Sequence, residues 1–412
     1  MDEKKRIAFL CQPYHRGGVT HWMANAAIEY AKIGFDVYFM TLEPEQTFYS
    51  GVGRETMLQL LSKTDTGIHI IKTKVGRSFE FGTHDYCTFI YKQLFLKVPI
   101  GTPVILSDDS MVWGAANSLS GSYPCIGVLH SDHSDYYDLA VKYKNEISIL
   151  ACVSERINKK ISEKLGEAYL NKIYTIPCGI NLPSPNNSDP RKQGVLQLIY
   201  IGRLTNLAKR PGDLVKISRL LVDKGVDFYL TIIGDGEEKN NLEKKFVEER
   251  LSKYVKFCGW LSGSDIHTYL NESDILLLTS DFEGLPIVMM EALATGCGFV
   301  GTRVSGVEDY ENVPQAEDCY MVYNVGDIEE AVNKIIYIAG IPEGVRKNAA
   351  RAIAEANFSL PVCVEKYNKA IASLPLQSYI NPGISLPASK RFYSQAVSFV
   401  RHIKLKFFKK RI

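Results

Sequence analysis

DILLLTSDFEGLPIVMMEALATGCGFVGT, residues 274–302, holds an apolar run, a polar loop, a longer apolar segment and a second apolar run. DILLLTS and CGFVGT have the length and composition of buried strands. The segment between them is long enough for a helix, with Pro286 at its first turn and Gly296 at its end. Strand, loop, helix and strand in succession is the repeating unit of a parallel sheet.

The same rhythm extends in both directions. RIAFLC (6–11), FDVYFMT (35–41), IHIIKT (68–73), PVILS (103–107), PCIGVL (124–129) and ISILACV (147–153) read as strands separated by helical segments. The first of these, VTHWMANAAIEYAKIG, carries Val19, Trp22, Met23, Ala26, Ala27 and Tyr30 at helical spacing and ends at Gly34. Residues 181–194, NLPSPNNSDPRKQG, have almost no apolar content and read as a linker. LQLIYIG, DFYLTIIG, YVKFCG, DILLLTS and CGFVGT then restart the series. The expected fold class is α/β, with two doubly wound Rossmann-like domains facing a cleft.

A chain of 412 residues is too long for one core and suits two. The expected domains are 1–180 and 195–356, joined by 181–194. A helix over 357–375 is expected to cross back to the first domain. Residues 376–412 read as a Pro-rich linker and a basic tail. The net charge of +2 gives no pointer to nucleic acid. The nine cysteines are scattered without a CxxC pair and read as free thiols in a reducing compartment. The start has no signal-peptide architecture, and no run of 18 apolar residues occurs, so a cytoplasmic protein is expected. No acidic residue follows Glu365. Phe392, Ala396, Phe399, Val400, Ile403 and Phe407 fall on one helical face of the basic tail. That pattern over 389–412 suits an anionic membrane surface, or equally a helix packed on the body.

Ligands in such folds lie at the carboxyl ends of strands, so the loops there carry the functional reading. CQPYHRGGVTHW places Gly17 and Gly18 ahead of a helix, where backbone N–H groups favour an anion; a flexible cap is the competing reading. YIGRLTNLAKRPGD places Gly202 and Arg203 after a strand, with Lys209 six residues on. A planar fork and a point charge suit a diphosphate, against the alternative of solvated surface charges. In DFEGLPIVMME, the N–H groups near Leu285, Ile287 and Val288 would open a third anion site. Gly234-Asp235-Gly236 reads as a tight turn, with Asp235 a candidate helix cap.

Glu283 and Glu291 pose the sharpest question. As one helix, eight residues separate them by about 12 Å, beyond the roughly 5–9.5 Å of glycosidase carboxylate pairs. A carboxylate inside the helix suits the two hydroxyls of a ribose. One in the loop suits another polyhydroxylated part of the same ligand. Arg203 and Lys209 would offset their charge beside a phosphate. Sugar hydroxyls at both ends and a diphosphate between describe a nucleotide-sugar.

With these motifs in view, residues 6–374 resemble the retaining glycosyltransferases of family four, which have the GT-B fold. The resemblance rests on E-x7-E in EGLPIVMME, GRL…KR at 202–210, GDG at 234–236, Gly17-Gly18, CVSE at 152–155 and IPCGIN at 176–181. It implies that Arg203 and Lys209 bind the donor diphosphate, Glu291 the ribose and Glu283 the transferred sugar. It further implies that Gly18 admits the first domain's loop to the phosphates and that His130 stands near the donor sugar. Gly284, Leu285, Pro286, Ile287 and Val288 would complete the donor site. The chain departs from the family's pattern at TGCGFVGT and at Asp318-Cys319, which leaves the donor open.

The implied activity is transfer from a nucleoside diphosphate sugar to an acceptor hydroxyl with retention, in polysaccharide or glycolipid synthesis. The acceptor would be a carbohydrate or lipid-linked glycan, reached at the inner face of the membrane. No cofactor and no metal are expected. HSDHSD at 130–135 lacks a compact metal-ligand spacing. A nucleotide-sugar epimerase of the same fold is the alternative. An NAD-dependent oxidoreductase lacks its glycine fingerprint here, and a binding module would not need both cations and both glutamates.

Overall fold

A computed structural model describes residues 5–11, 18–44, 61–62, 67–75, 84–107, 109–117, 119, 121–184, 194–261, 263–375 and 397. Gly17 and nearly all of the basic tail lie outside the described residues.

The first sheet comprises β1 (Arg6–Leu10), β2 (Asp36–Pro44), β3 (Ile68–Val75), β4 (Val104–Leu106), β5 (Cys125–Leu129), β6 (Ile149–Cys152) and β7 (Ile173–Thr175), in the order β3-β2-β1-β4-β5-β6-β7. The second comprises β8 (Leu196–Ile201), β9 (Phe228–Ile233), β10 (Val255–Gly259), β11 (Ile275–Leu278), β12 (Gly298–Thr302) and β13 (Tyr320–Tyr323), in the order β10-β9-β8-β11-β12-β13. All pairings between these strands are parallel. Strand order reverses between β1 and β4 and between β8 and β11, and crevices at such points receive ligands. This is the GT-B arrangement.

Helices cover both faces, so β5, β11 and β12 are buried along their whole length. That is why they read as continuous apolar runs and not as alternation. The expected strands fall within three residues of the observed ones. β7 and β13 were not expected; with three and four residues, they are too short to stand out.

The opening stretch folds as β11, loop, helix Ile287–Thr295 and β12. Pro286 is the N-cap and Gly296, at φ 84°, the C-cap. One apolar core fills the first domain and continues through Met289, Met290, Leu293, Tyr310 and Phe358 of the second. A separate core lies on the far face of the second sheet.

The chain returns to the first domain at its described end. The Ile180 N–H donates to the Phe358 carbonyl (2.8 Å), and the Leu360 N–H donates to the Ile180 carbonyl (3.1 Å). Helix Leu360–Ala372 then packs on helix Gly18–Lys32, with the Tyr367 and Trp22 rings 6.0 Å apart.

Candidate functional site

Two loops of the second domain are laced into one unit. The Asp281 N–H donates to the Ala208 carbonyl (2.8 Å), and Thr279 Oγ1 donates to the Lys209 carbonyl (2.7 Å). Arg210 reaches Asp281 at 3.3 Å. Across this lacing, Lys209 Nζ donates to Glu283 Oε1, which also accepts from Ser280 Oγ at 2.6 Å. Lys209 and Glu283 are thus ion-paired, with side chains only 18% and 12% exposed.

Arg203 follows β8 by two residues and is exposed. Its guanidinium has no protein partner among the described residues. It faces an open cavity of about 760 Å³ between the domains, whose walls include His133, Asp135 and Tyr136 on one side and Thr205, Ala208 and Phe282 on the other. Ala208 and Phe282 immediately precede Lys209 and Glu283 in the chain. Gly202 accompanies Arg203, and a Cβ there would lie 3.0 Å from the Tyr200 hydroxyl.

Glu291 sits on the second turn of helix Ile287–Thr295. No protein donor reaches its carboxylate among the described residues. Burial pushes its carboxyl up to about 7. At the start of the same helix, the N–H groups of Ile287 and Val288 have no protein acceptor among the described residues, whereas Met289 N–H turns back to the Pro286 carbonyl (3.1 Å). Leu285 and Pro286 are buried.

The first domain touches this unit directly. Ser131 and Gly284 form an antiparallel bridge, and the Asp132 N–H donates to the Glu283 carbonyl (3.3 Å). A Cβ on Gly284 would lie 1.7 Å from the His130 carbonyl oxygen, so glycine is required there. A Cβ on Gly18 would lie 2.5 Å from Ile287 Cγ1, so Gly18 abuts the start of the Glu291 helix.

His130 closes β5 with its Nδ1 3.7 Å from Cys178 Sγ and its ring 5.1 Å from that of Trp22. Its Nε2 is buried and lacks a partner among the described residues. Burial holds the imidazole near a pKa of about 3, so it is neutral at physiological pH.

The side chains of Asp132 and His133 serve local structure. Asp132 accepts from Lys160 Nζ (2.8 Å) and from the Tyr137 hydroxyl (2.6 Å). His133 caps helix Ser134–Lys142 by accepting from the Asp135 N–H (3.4 Å). Asp235 is not the cap expected of it. Its Oδ1 accepts from the Gly236 N–H (2.8 Å), and the helix begins later, at Lys239, because Glu238 N–H is committed to the Leu204 carbonyl (2.9 Å).

Thr279, Ser280 and Ser131 were not singled out from sequence. The signal for the first two was a pair of hydroxyls ending an otherwise apolar strand. Ser131 acts through its backbone and left none.

Comparison with known proteins adds an independent finding. The profile of glycosyl transferases group 1 matches residues 186–355. The amylovoran biosynthesis glycosyltransferase AmsK of Erwinia amylovora is 34% identical over 120 residues, 28% of this chain and 29% of its own length. The O-antigen biosynthesis glycosyltransferase WbnH of Escherichia coli is 25% identical over 314 residues, 73% of this chain and 82% of its own. The crystal structure of Anabaena HepE in complex with UDP and glucose aligns with a TM-score of 0.68 at 17% identity, covering 90% of this chain and 100% of that one. The chain therefore spans less than a third of AmsK and most of WbnH.

Proposed function

We infer, from a chain whose residues 186–355 match the glycosyl transferases group 1 family, that this protein moves a sugar from a nucleoside diphosphate sugar to an acceptor hydroxyl. The observation that carries the reading is the Ser131–Gly284 bridge. It sets His130 of one domain against the loop holding Glu283, within the unit that also holds Lys209. Arg203 and Lys209 take the diphosphate, joined by the N–H groups of Ile287 and Val288. Glu291 accepts the ribose hydroxyls. Glu283 and His130 face the transferred sugar.

Transfer proceeds with retention at the anomeric carbon. Glu283 is held by Lys209 and Ser280 on one oxygen, which suits binding a hydroxyl more than nucleophilic attack. The acceptor oxygen attacks on the face the phosphate leaves. Its proton passes to the departing phosphate oxygen. Arg203, Lys209 and the helix N–H groups stabilise the charge that develops there. Closure of the domains excludes water and limits hydrolysis. No metal or other cofactor enters this scheme.

AmsK and WbnH are named as glycosyltransferases of amylovoran and O-antigen biosynthesis, and a further Escherichia coli relative as a galactosyltransferase acting on a diphosphoundecaprenol-linked sugar, which supports a growing glycan or lipid-linked acceptor and favours transfer over epimerisation. Contact with an anionic membrane through 389–412, at the cytoplasmic face, would suit such an acceptor. Vesicle binding that survives deletion of 376–412 would rule that contact out. The test of the chemistry is an incubation with sugar conjugates of UDP, GDP and ADP and lipid-linked acceptors, read by the anomeric proton coupling of the product. Retention supports the reading. Inversion, or an epimerised donor formed without acceptor, contradicts it.

A further inference from the structure

Glu283 is oriented by its neighbours before any ligand arrives. Its Oε1 accepts from both Lys209 Nζ and Ser280 Oγ, the latter at 2.6 Å. Its Oε2 has no protein donor among the described residues. The side chain is therefore pinned with one oxygen committed and one available. Ser280 is itself fixed. It is 0% exposed, and its carbonyl accepts from Thr302 Oγ1 at 2.7 Å. Thr279 and Thr302 are also 0% exposed, and Thr279 Oγ1 holds the backbone of Lys209 at 2.7 Å. Three buried hydroxyls at the ends of β11 and β12 thus hold both members of the ion pair.

A serine that only filled space would not need its hydroxyl aimed at a carboxylate. Buried hydroxyls seek partners, but backbone carbonyls serve that need at Thr279 and Thr302. Ser280 instead spends its proton on the one carboxylate that faces the sugar. With Oε1 doubly occupied, a sugar hydroxyl can reach Glu283 only along the lone pairs of Oε2. Direction then matters, and direction is what separates one hydroxyl pattern from another.

We propose that Ser280 is a positioning residue that fixes the rotamer of Glu283 and thereby governs recognition of the sugar of the donor, not of its nucleotide. The proposal rests on the donor reading above. Its test keeps the two separable. The full-length chain is titrated with UDP, GDP and ADP and with the glucose conjugate of each, as wild type, Ser280→Ala, Ser280→Cys, Glu283→Ala and the Ser280→Ala/Glu283→Ala double variant. A hydrogen bond to a charged group is worth a tenfold effect or more. Ser280→Ala should weaken the preferred sugar conjugate about tenfold and leave the bare nucleotide within about twofold. Ser280→Cys keeps the side chain's shape at a slightly larger volume while weakening the donor, and should fall between. In the Glu283→Ala background, Ser280→Ala should add nothing, because the positioned group is gone. A control at Ser218, a buried serine whose hydroxyl has no partner among the described residues, should change neither affinity when made alanine.

Equal losses for nucleotide and conjugate in Ser280→Ala would overturn the proposal. So would unchanged conjugate affinity, or additive losses in the double variant. Wild-type protein that binds no nucleotide in the panel would overturn the donor reading and this proposal with it.

Discussion

A carboxylate with no donor around it is costly to keep charged when it is buried, and Glu291 is in that position. Raising its carboxyl from about 4.5 to about 7 corresponds to about 3 kcal/mol. The sign follows from linkage. A raised folded value means that this group weakens the fold as pH climbs through 7, and has no such effect below the unfolded value. Glu291→Gln should therefore stabilise the empty protein at pH 8 by up to about 3 kcal/mol and leave it unchanged near pH 4. Thermal melts across that range check this. The same variant should lose donor affinity by tenfold or more, since an amide is a weaker acceptor for a pair of hydroxyls. For wild type, two hydroxyls donating to the carboxylate favour its charged form, so donor affinity should rise from pH 6 to pH 8. Titration in buffers of different ionisation enthalpy should show proton release near pH 7. At this scale, the sequence disclosed residue types and not partners. The charges at Arg203, Lys209, Glu283 and Glu291 were legible because each lies in a loop after a strand or, for Glu291, inside the helix that such a loop leads into. That Lys209 and Glu283 pair with each other was not, because a separation of 74 positions gives no sign of it.

Loops and helix starts are where the two domains touch, and their tolerances differ. An alanine at 284 would place its Cβ 1.7 Å from a backbone oxygen, which has nowhere to go. Gly284→Ala should break the Ser131 bridge, destabilise the protein by about 1–3 kcal/mol and reduce turnover severely. An alanine at 18 meets the side chain of Ile287 at 2.5 Å, and that side chain can turn or be shortened. Gly18→Ala should be the milder change, and Ile287→Ala should relieve it; melting temperature and turnover of the single and double variants check the order. The strands themselves were legible because helices bury both faces of each sheet, giving unbroken apolar runs. The start of the helix after GDG was misplaced because a backbone contact to Leu204, far in sequence, took the role a cap would have filled.

Over the whole molecule, the domains are joined beside the site as well as at it. Arg156 donates through Nε to Glu308 Oε1 (2.5 Å) and through a terminal nitrogen to Oε2. Ser154 and Ser305 hydroxyls meet at 2.6 Å, and the Glu155 N–H donates to Asp309 (2.8 Å). Asp309 and Glu308 close the loop whose Gly306 would, with a Cβ, press 2.1 Å from the Gly284 carbonyl. This contact set therefore buttresses the Glu283 loop from behind. Arg156→Glu should open the cleft, raise the radius of gyration in solution scattering and cut turnover several-fold. Adding Glu308→Arg should restore both. Two α/β domains were legible from rhythm and composition; residues 185–193 of the expected linker lie outside the described residues. The CVSE stretch was visible as a motif, yet its work as an interdomain joint depends on the docked arrangement of the two sheets, which no local pattern encodes.

The proposed donor site is one interdomain cleft, with Arg203 on the diphosphate and Glu291 on the ribose. Calorimetric titration of wild type, Arg203→Ala and Glu291→Ala with UDP, GDP, ADP and their sugar conjugates tests it most directly. Wild type should bind one nucleotide series, and each variant, still folded, should weaken that binding at least tenfold. Folded variants that bind as tightly as wild type, or a wild type that binds none of the series, would contradict it.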